Sequence, residues 1–248
     1  MKNSVTIVAA LALLAIVTPA KANLVLNGSF ETTTLSASGQ ITAADVTSWD
    51  TTKAAPTASL GFVYFSGTAN NTLTDQFGAN NFQLAQGPTY PATSPDGGNF
   101  LVVDSAPAYV ASISQTISGL TIGKQYSLQF YQAAGQQNGA AYNMPTFDQW
   151  SVTFGPASGV GAQTFLSTIM NNPIQSFTAW NLQTMVFKAT AVSQVLTFLT
   201  DGGPDGLPPM LFLDGVDLYP SPEPTTVLYA VLGLSGLIAV RRLRNTRN

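Results

Sequence analysis

The five residues 126–130, YSLQF, decide the fold class. Tyr126, Leu128 and Phe130 alternate with Ser127 and Gln129. Successive side chains of an extended chain point to opposite faces, so this period of two puts one apolar face against a core. Working outward, runs rich in β-branched and aromatic residues recur at 61–65, 100–104, 149–154, 185–189, 195–200 and 210–218. Turn residues separate them: Pro95-Asp96-Gly97-Gly98, Gly119, Gly123, and DGGPDG at 201–206. No helical period of any length lies between the two ends. Many short strands punctuated by turns predict one all-β domain, residues 23–219, built as a β-sandwich or jelly roll.

Composition fits such a domain. The 248 residues are 45% hydrophobic and 8% charged, enough apolar matter for a sizeable core and unlike a disordered chain. There is no cysteine and no histidine, which excludes disulfides, thiol nucleophiles, Ser-His-Asp triads and zinc or iron sites built on His or Cys. Any metal must be held by oxygen. Between Asn23 and Pro220 the basic residues are Lys53, Lys124 and Lys188, against Glu31 and ten aspartates, a net of −8. A domain without arginine cannot neutralise a row of phosphates, so nucleic acid is not an expected partner.

The two ends differ from the middle. Met1-Lys2-Asn3, an apolar run from Val5 to Val17 and the small-x-small site Ala20-Lys21-Ala22 have the order of an export signal, with the mature chain beginning at Asn23. The alternative is a packed N-terminal helix, though no capping residue opens the run. At the other end an uncharged run, Val227 to Val240, is followed by Arg241, Arg242, Arg244 and Arg247. As a helix it would be roughly 21 Å long, a minimal span of a ~30 Å hydrocarbon core that Thr225 and Thr226 extend. The arginines would hold the C-terminus on the cytoplasmic side. The alternative is a small packed C-terminal helix, which leaves the arginines without a purpose.

Pro222, Glu223 and Pro224, the apolar run and the arginines, in that order at the C-terminus, resemble the PEP-CTERM sorting signal of Gram-negative bacteria. The match covers Ser221 to Arg247 and departs at Ser221, where the family often has valine. The resemblance implies recognition by an exosortase, an inner-membrane intermediate anchored through the C-terminal helix, and delivery to the cell surface or to an exopolysaccharide and biofilm matrix.

NLVLNGSFE at 23–31 and LFLDGVDL at 211–218 look like the first and last strands of galactose-binding-like β-sandwiches, a group that includes many carbohydrate-binding modules. The stretch 113–120, ISQTISGL, with Gly123 and Tyr126, is similar to a hairpin region in PEP-CTERM proteins with this type of domain. The resemblance implies a structural calcium held by Glu31 and Asp214, with Asn27 and Asp217 as secondary ligands. The sequence adds its own argument. A period of two puts Phe212, Asp214, Val216 and Leu218 on one face, and a carboxylate among apolar residues is costly unless paired. The other reading has Asp214 accepting backbone N–H bonds at the sandwich rim. Asp201, Asp205, Asp214 and Asp217 do not match a calcium-loop spacing, and Asp201 and Asp205 read as turn residues.

Sugar binding needs exposed aromatic faces among polar groups. Tyr142 and Phe147 lie among amides in the apparent loop 132–149, and Phe77, Phe82 and Tyr90 in 69–95, so Tyr142 and Tyr90 are the candidate ligand contacts. Trp150 and Trp180 read as core, and Trp49 has no assigned place. The expectation is a non-catalytic polysaccharide binder. A structural or adhesive matrix protein is the alternative, and a hydrolase using two of Glu31, Asp104 and Asp148 the third reading.

Overall fold

The computed structural model describes residues 22–55, 59–86 and 93–221. Ala20 and the export segment, Pro222-Glu223-Pro224, the C-terminal apolar run, the four arginines and Tyr90 lie outside the described residues. Among the described residues no helix is long and apolar enough to cross a membrane.

The described chain is all-β apart from one turn of 3₁₀ helix, Pro107–Tyr109. Its strands are β1 (Gly39–Gln40), β2 (Gly61–Tyr64), β3 (Leu73–Asp75), β4 (Gly78–Phe82), β5 (Phe100–Asp104), β6 (Ser112–Ser118) and β7 (Gln125–Gln136). There follow β8 (Thr146–Gly155), β9 (Gln163–Leu166), β10 (Met170–Asn172), β11 (Asn181–Lys188), β12 (Ser193–Gly203) and β13 (Pro209–Pro220). One sheet has the order β1-β2-β5-β13-β7-β11, and its partner the order β10-β8-β12-β6, with β9 also on the β8 edge. β3 and β4 form a separate hairpin. The expected sandwich is present, antiparallel at every pairing.

Tyr126, Leu128 and Phe130 of β7 enter the core between the sheets, as their alternation requires. Phe198 of β12 is its hub: Phe130, Trp150 and Trp49 meet its ring edge-on at centroid distances of 5.0, 5.7 and 6.2 Å. A second apolar cluster covers the outer face of the six-stranded sheet. Phe82 of the β3–β4 hairpin stacks on Phe62 at 4.1 Å, and Phe177 and Trp180 pack on Phe212. Burying a side chain of this size contributes about 1.5–3 kcal/mol. The cover therefore anchors the hairpin and the segment after β10 to the sheet. All three tryptophans belong to these two cores.

Four expectations need correction. Residues 132–149 are not one long loop: 132–136 complete β7, 146–149 begin β8, and the connection is 137–145. The amides that suggested a loop are buried strand residues whose N–H groups are bonded inside the protein, though Gln132 Oε1 has no partner. Gln132 Nε2 donates to the Thr168 carbonyl (2.9 Å), Gln136 Nε2 to that of Leu207 (3.0 Å), and Gln136 Oε1 accepts from Gln175 N–H (2.8 Å). Residues 23–31 are not a regular strand. They run beside β13 through Leu24 N–H to Leu218 O and Val216 N–H to Gly28 O (2.8 and 3.0 Å), and positive φ at Asn27 and Phe30 coils them away from a ladder. Asp201 is a β12 residue, bonded by Gln149 Nε2 (2.6 Å), and only Asp205 is in the turn. Finally, a bulge between Asp214 and Asp217 breaks the alternation of β13. Gly215, at φ +56°, shifts the strand by one residue, so Val216 and Leu218 join Leu211 and Leu213 inside. Phe212 and Asp214 remain on the outer face.

Candidate functional site

Acidic residues gather at the two ends of β5. At its start, Asp214 lies beside the strand, since Leu213 pairs with Leu101. Its side chain is 0% exposed and neither carboxylate oxygen has a hydrogen-bond partner. Burial pushes the carboxyl up to about 8. The Ser94 hydroxyl and the Gly215 N–H oppose the rise without completing a bond of normal geometry, and the charges of Asp96 and Glu31 add to it. Glu31 from the N-terminal segment and Asp96 from the loop before β5 thus lie near enough for their charges to act on Asp214. The reading in which Asp214 is satisfied at the rim is not what is observed.

The secondary ligands stand differently. Asn27 is occupied in holding its turn: its amide donates to the Thr32 and Thr47 carbonyls (both 2.9 Å) and its oxygen accepts from Thr32 N–H (2.9 Å). Asp217 accepts from Asn23 Nδ2 (2.6 Å). Glu31 is exposed and accepts from Asn99 N–H (2.6 Å). Two orphaned oxygens on a buried carboxylate, with two further carboxylates acting on it, fit a calcium ion in donor chemistry. Among the described residues no group of three acidic side chains is placed so that it could hold a metal ion, here or elsewhere. Asp214 is buried, and Glu31 and Asp96, both exposed, act on it through their charges.

The far end of β5 carries Asp104, Asp148, Asp201 and Asp205. The four aspartates of the last two strands are therefore not one cluster: Asp201 and Asp205 act on this end, Asp214 and Asp217 on the other. Asp148 is sealed between the sheets at 0% exposure, with one oxygen accepting from the Ser105 hydroxyl and the other unpartnered. Burial pushes its pKa far up, with Ser105 opposing and the charges of Asp104 and Asp201 adding. Asp104 is 1% exposed; Oδ1 accepts from Ala106 N–H (2.8 Å) and Oδ2 has no partner. Burial raises its carboxyl to about 7, against the Ala106 N–H and with the charge of Asp205.

Asp104 also borders a cleft of about 340 Å³ between the β3–β4 turn, the 3₁₀ turn and the β7–β8 connection. Phe77, 60% exposed, Tyr109 and Tyr142 supply rings, and Asp75, Asn81 and Gln137 supply polar groups. Asp75 is fixed by its turn: the N–H groups of Phe77 and Gly78 donate to Oδ1 (2.8 and 3.2 Å), and Asn81 Nδ2 reaches both oxygens (3.2 and 3.0 Å). Tyr142 lies flat on Gly139, where an added Cβ would stand 2.7 Å from the ring. Gln175 Nε2 clamps its carbonyl (3.1 Å). Sequence reasoning found Tyr142 through its amide-rich surroundings. It missed Tyr109, Asp75 and the cleft role of Asp104, whose contacts come from segments 30 to 70 residues away from Tyr142. Phe147 is half-buried in β8 and Phe82 wholly buried, so neither is a surface platform.

No family model matches the chain, and no curated protein does. Several solved structures resemble it. The module TmCBM61, described in complex with beta-1,4-galactotriose, is 14% identical with a TM-score of 0.40, over 81% of this chain and 99% of that one. A structure described as "CBM4 structure and function" is 15% identical with a TM-score of 0.33, over 65% and 87%. The enzymatically active domain of tailspike protein 4 of bacteriophage CBA120 is 14% identical with a TM-score of 0.39, over 80% of this chain and 21% of that one.

Proposed function

We propose that the chain is an exported, non-catalytic surface or matrix protein that binds polysaccharide in the cleft around Tyr142. The observation that carries this reading is the cleft itself, where three ring-bearing side chains stand beside fixed amides and carboxylates in a space of about 340 Å³. Ring faces suit the C–H faces of a pyranose, and the amides and carboxylates suit its hydroxyls. The arrangement of the acids supports a non-catalytic role: Asp148 is sealed in the core and Glu31 lies at the opposite end of β5 from Asp104, so the acids named for hydrolysis do not flank one bond.

Calcium enters the reading as a structural ion. Asp214 and Glu31, with Asp96, would hold it, and its charge would offset the buried carboxylate. Export and sorting rest on the sequence of the two ends, with Pro222-Glu223-Pro224, the apolar run and the arginines as the substrate features for an exosortase.

The test is retention on polysaccharide extracted from the protein's own matrix. Tyr142→Ala weakens retention at least tenfold while leaving the melting curve unchanged. Wild-type protein that is retained on no matrix polysaccharide, with or without calcium, overturns the reading in favour of a structural or protein-adhesive role.

A further inference from the structure

The cleft is built for more than hydroxyl groups. Its lining includes two carboxylates, Asp75 and Asp104, and no basic residue. Asp75 has its partners from the turn, but Asp104 Oδ2 has none although its side chain is 1% exposed. A buried acceptor left unpaired is costly, and more so when charged. Asp205 adds a second negative charge close by. Phe77, Tyr109 and Tyr142 line the same cleft, and the negative face of an aromatic ring attracts a cation.

We propose that the cleft recognises an ammonium group, carried by an amino sugar of a polysaccharide whose hexosamine units are at least partly free of N-acetyl groups. The proposal rests on the polysaccharide reading above and narrows it to one ligand class. An ammonium offers three N–H donors, for which the Asp104 carboxylate at the cleft border and the rings of the lining are the counterparts. A divalent metal is a poorer occupant of the same space. It asks for six or more oxygens, and among the described residues no group of three acidic side chains could hold one. A uronic acid is excluded by like charge, which the net of −8 reinforces. Because burial holds Asp104 near neutrality, it gives up its proton at little cost when a cation arrives.

Three insoluble matrices of the same β-1,4 backbone provide the test: cellulose, chitin, and chitosan cross-linked so that it stays insoluble when protonated, which differ at C2 in bearing hydroxyl, acetamide or amine. The whole protein is measured at about pH 6, where the amines are protonated, in about 0.5 M salt, where the Debye length is about 4 Å and general charge attraction is screened. Wild type is retained at least tenfold more strongly on chitosan than on the other two. Asp104→Asn abolishes the preference, whereas Asp50→Asn, which removes an exposed charge outside the cleft lining, keeps it. The expected result has an independent check that needs no variant to fold: chitosan trimer competes with wild type at least tenfold better than chitin trimer. Equal retention on all three polymers, still lost in Tyr142→Ala, overturns the ammonium proposal and leaves the glycan reading intact. A chitosan preference lost equally in Asp50→Asn also overturns it, as general charge attraction. Retention on none of these polymers or on the native matrix ends both readings.

Discussion

Replacing Asp214 by asparagine tests the buried carboxylate directly. A carboxyl whose folded pKa stands above its unfolded value holds its proton more tightly in the folded state. Folded stability therefore falls as pH rises past 3.8, and the loss is complete above about 8. At 1.36 kcal/mol per pK unit, most of that interval lies between about pH 5 and pH 8 and amounts to at most about 4 kcal/mol. For a folded part of this size the difference is roughly 10 °C in Tm. The assay is thermal melting in chelator across that pH range, then at pH 8 with added calcium. Wild type loses stability with rising pH, and Asp214→Asn loses markedly less, keeping the slope due to the other raised carboxyls, Asp104, Asp148 and Asp217. Calcium at a hundred times its Kd restores about 2.7 kcal/mol to wild type and nothing comparable to the variant. Equal slopes in chelator for the two proteins would refute the buried-charge argument. A wild-type melting curve unmoved by calcium would refute the ion.

Gly139→Ala is expected to displace the Tyr142 ring without altering its chemistry, so retention on polysaccharide drops several-fold while the melting temperature moves by only a few degrees; unchanged retention would show that the ring is not a ligand contact in that pose. At the C-terminus, Glu223→Ala and deletion of Arg241 to Asn248 should each misdirect the protein, read by fractionating cells into inner membrane and surface. Normal surface delivery of both variants would end the sorting reading.

The strands legible in the sequence were those buried on one face or rich in β-branched and aromatic residues: YSLQF in β7, and the central runs of β5, β8, β12 and β13. β4, GANNF, and β10, MNN, carry no such signal, because one is a solvent-facing ribbon and the other a three-residue edge. The ends of β7 and β8 were hidden for the opposite reason. The amides of Gln132 and Gln136 are buried and donate to carbonyls of residues 168 and 207, partners that no local pattern announces. The Glu31 and Asp214 pairing was legible through family resemblance, and Asp214 as a carboxylate among apolar residues. Its actual face was not, because the bulge at Gly215 moves everything after it by one position. Tyr142 could be picked out as an aromatic among amides. The cleft could not, since it is assembled from five separated segments.

Asp104 and Asp214 share a physical predicament that links the two sites. Each ends a short apolar stretch on the outer face of the six-stranded sheet, where leucine would cost nothing, and each keeps at least one oxygen without a partner. Proteins ordinarily settle a buried carboxylate with an internal cation. Here the domain has no arginine, and none of Lys53, Lys124 and Lys188 acts on either group. The compensating charge must therefore come from outside the chain, as a proton at low pH or as a bound cation at neutral pH. A rigid antiparallel frame that holds two such acceptors in place sacrifices stability as pH rises and recovers it on binding. The same reasoning sets the order in which the sites respond: Asp214, raised to about 8, is relieved by acid before Asp104, raised to about 7. Removing both carboxylates at once, in Asp104→Asn/Asp214→Asn, should consequently flatten the stability profile more than either change alone, leaving the contributions of Asp148 and Asp217.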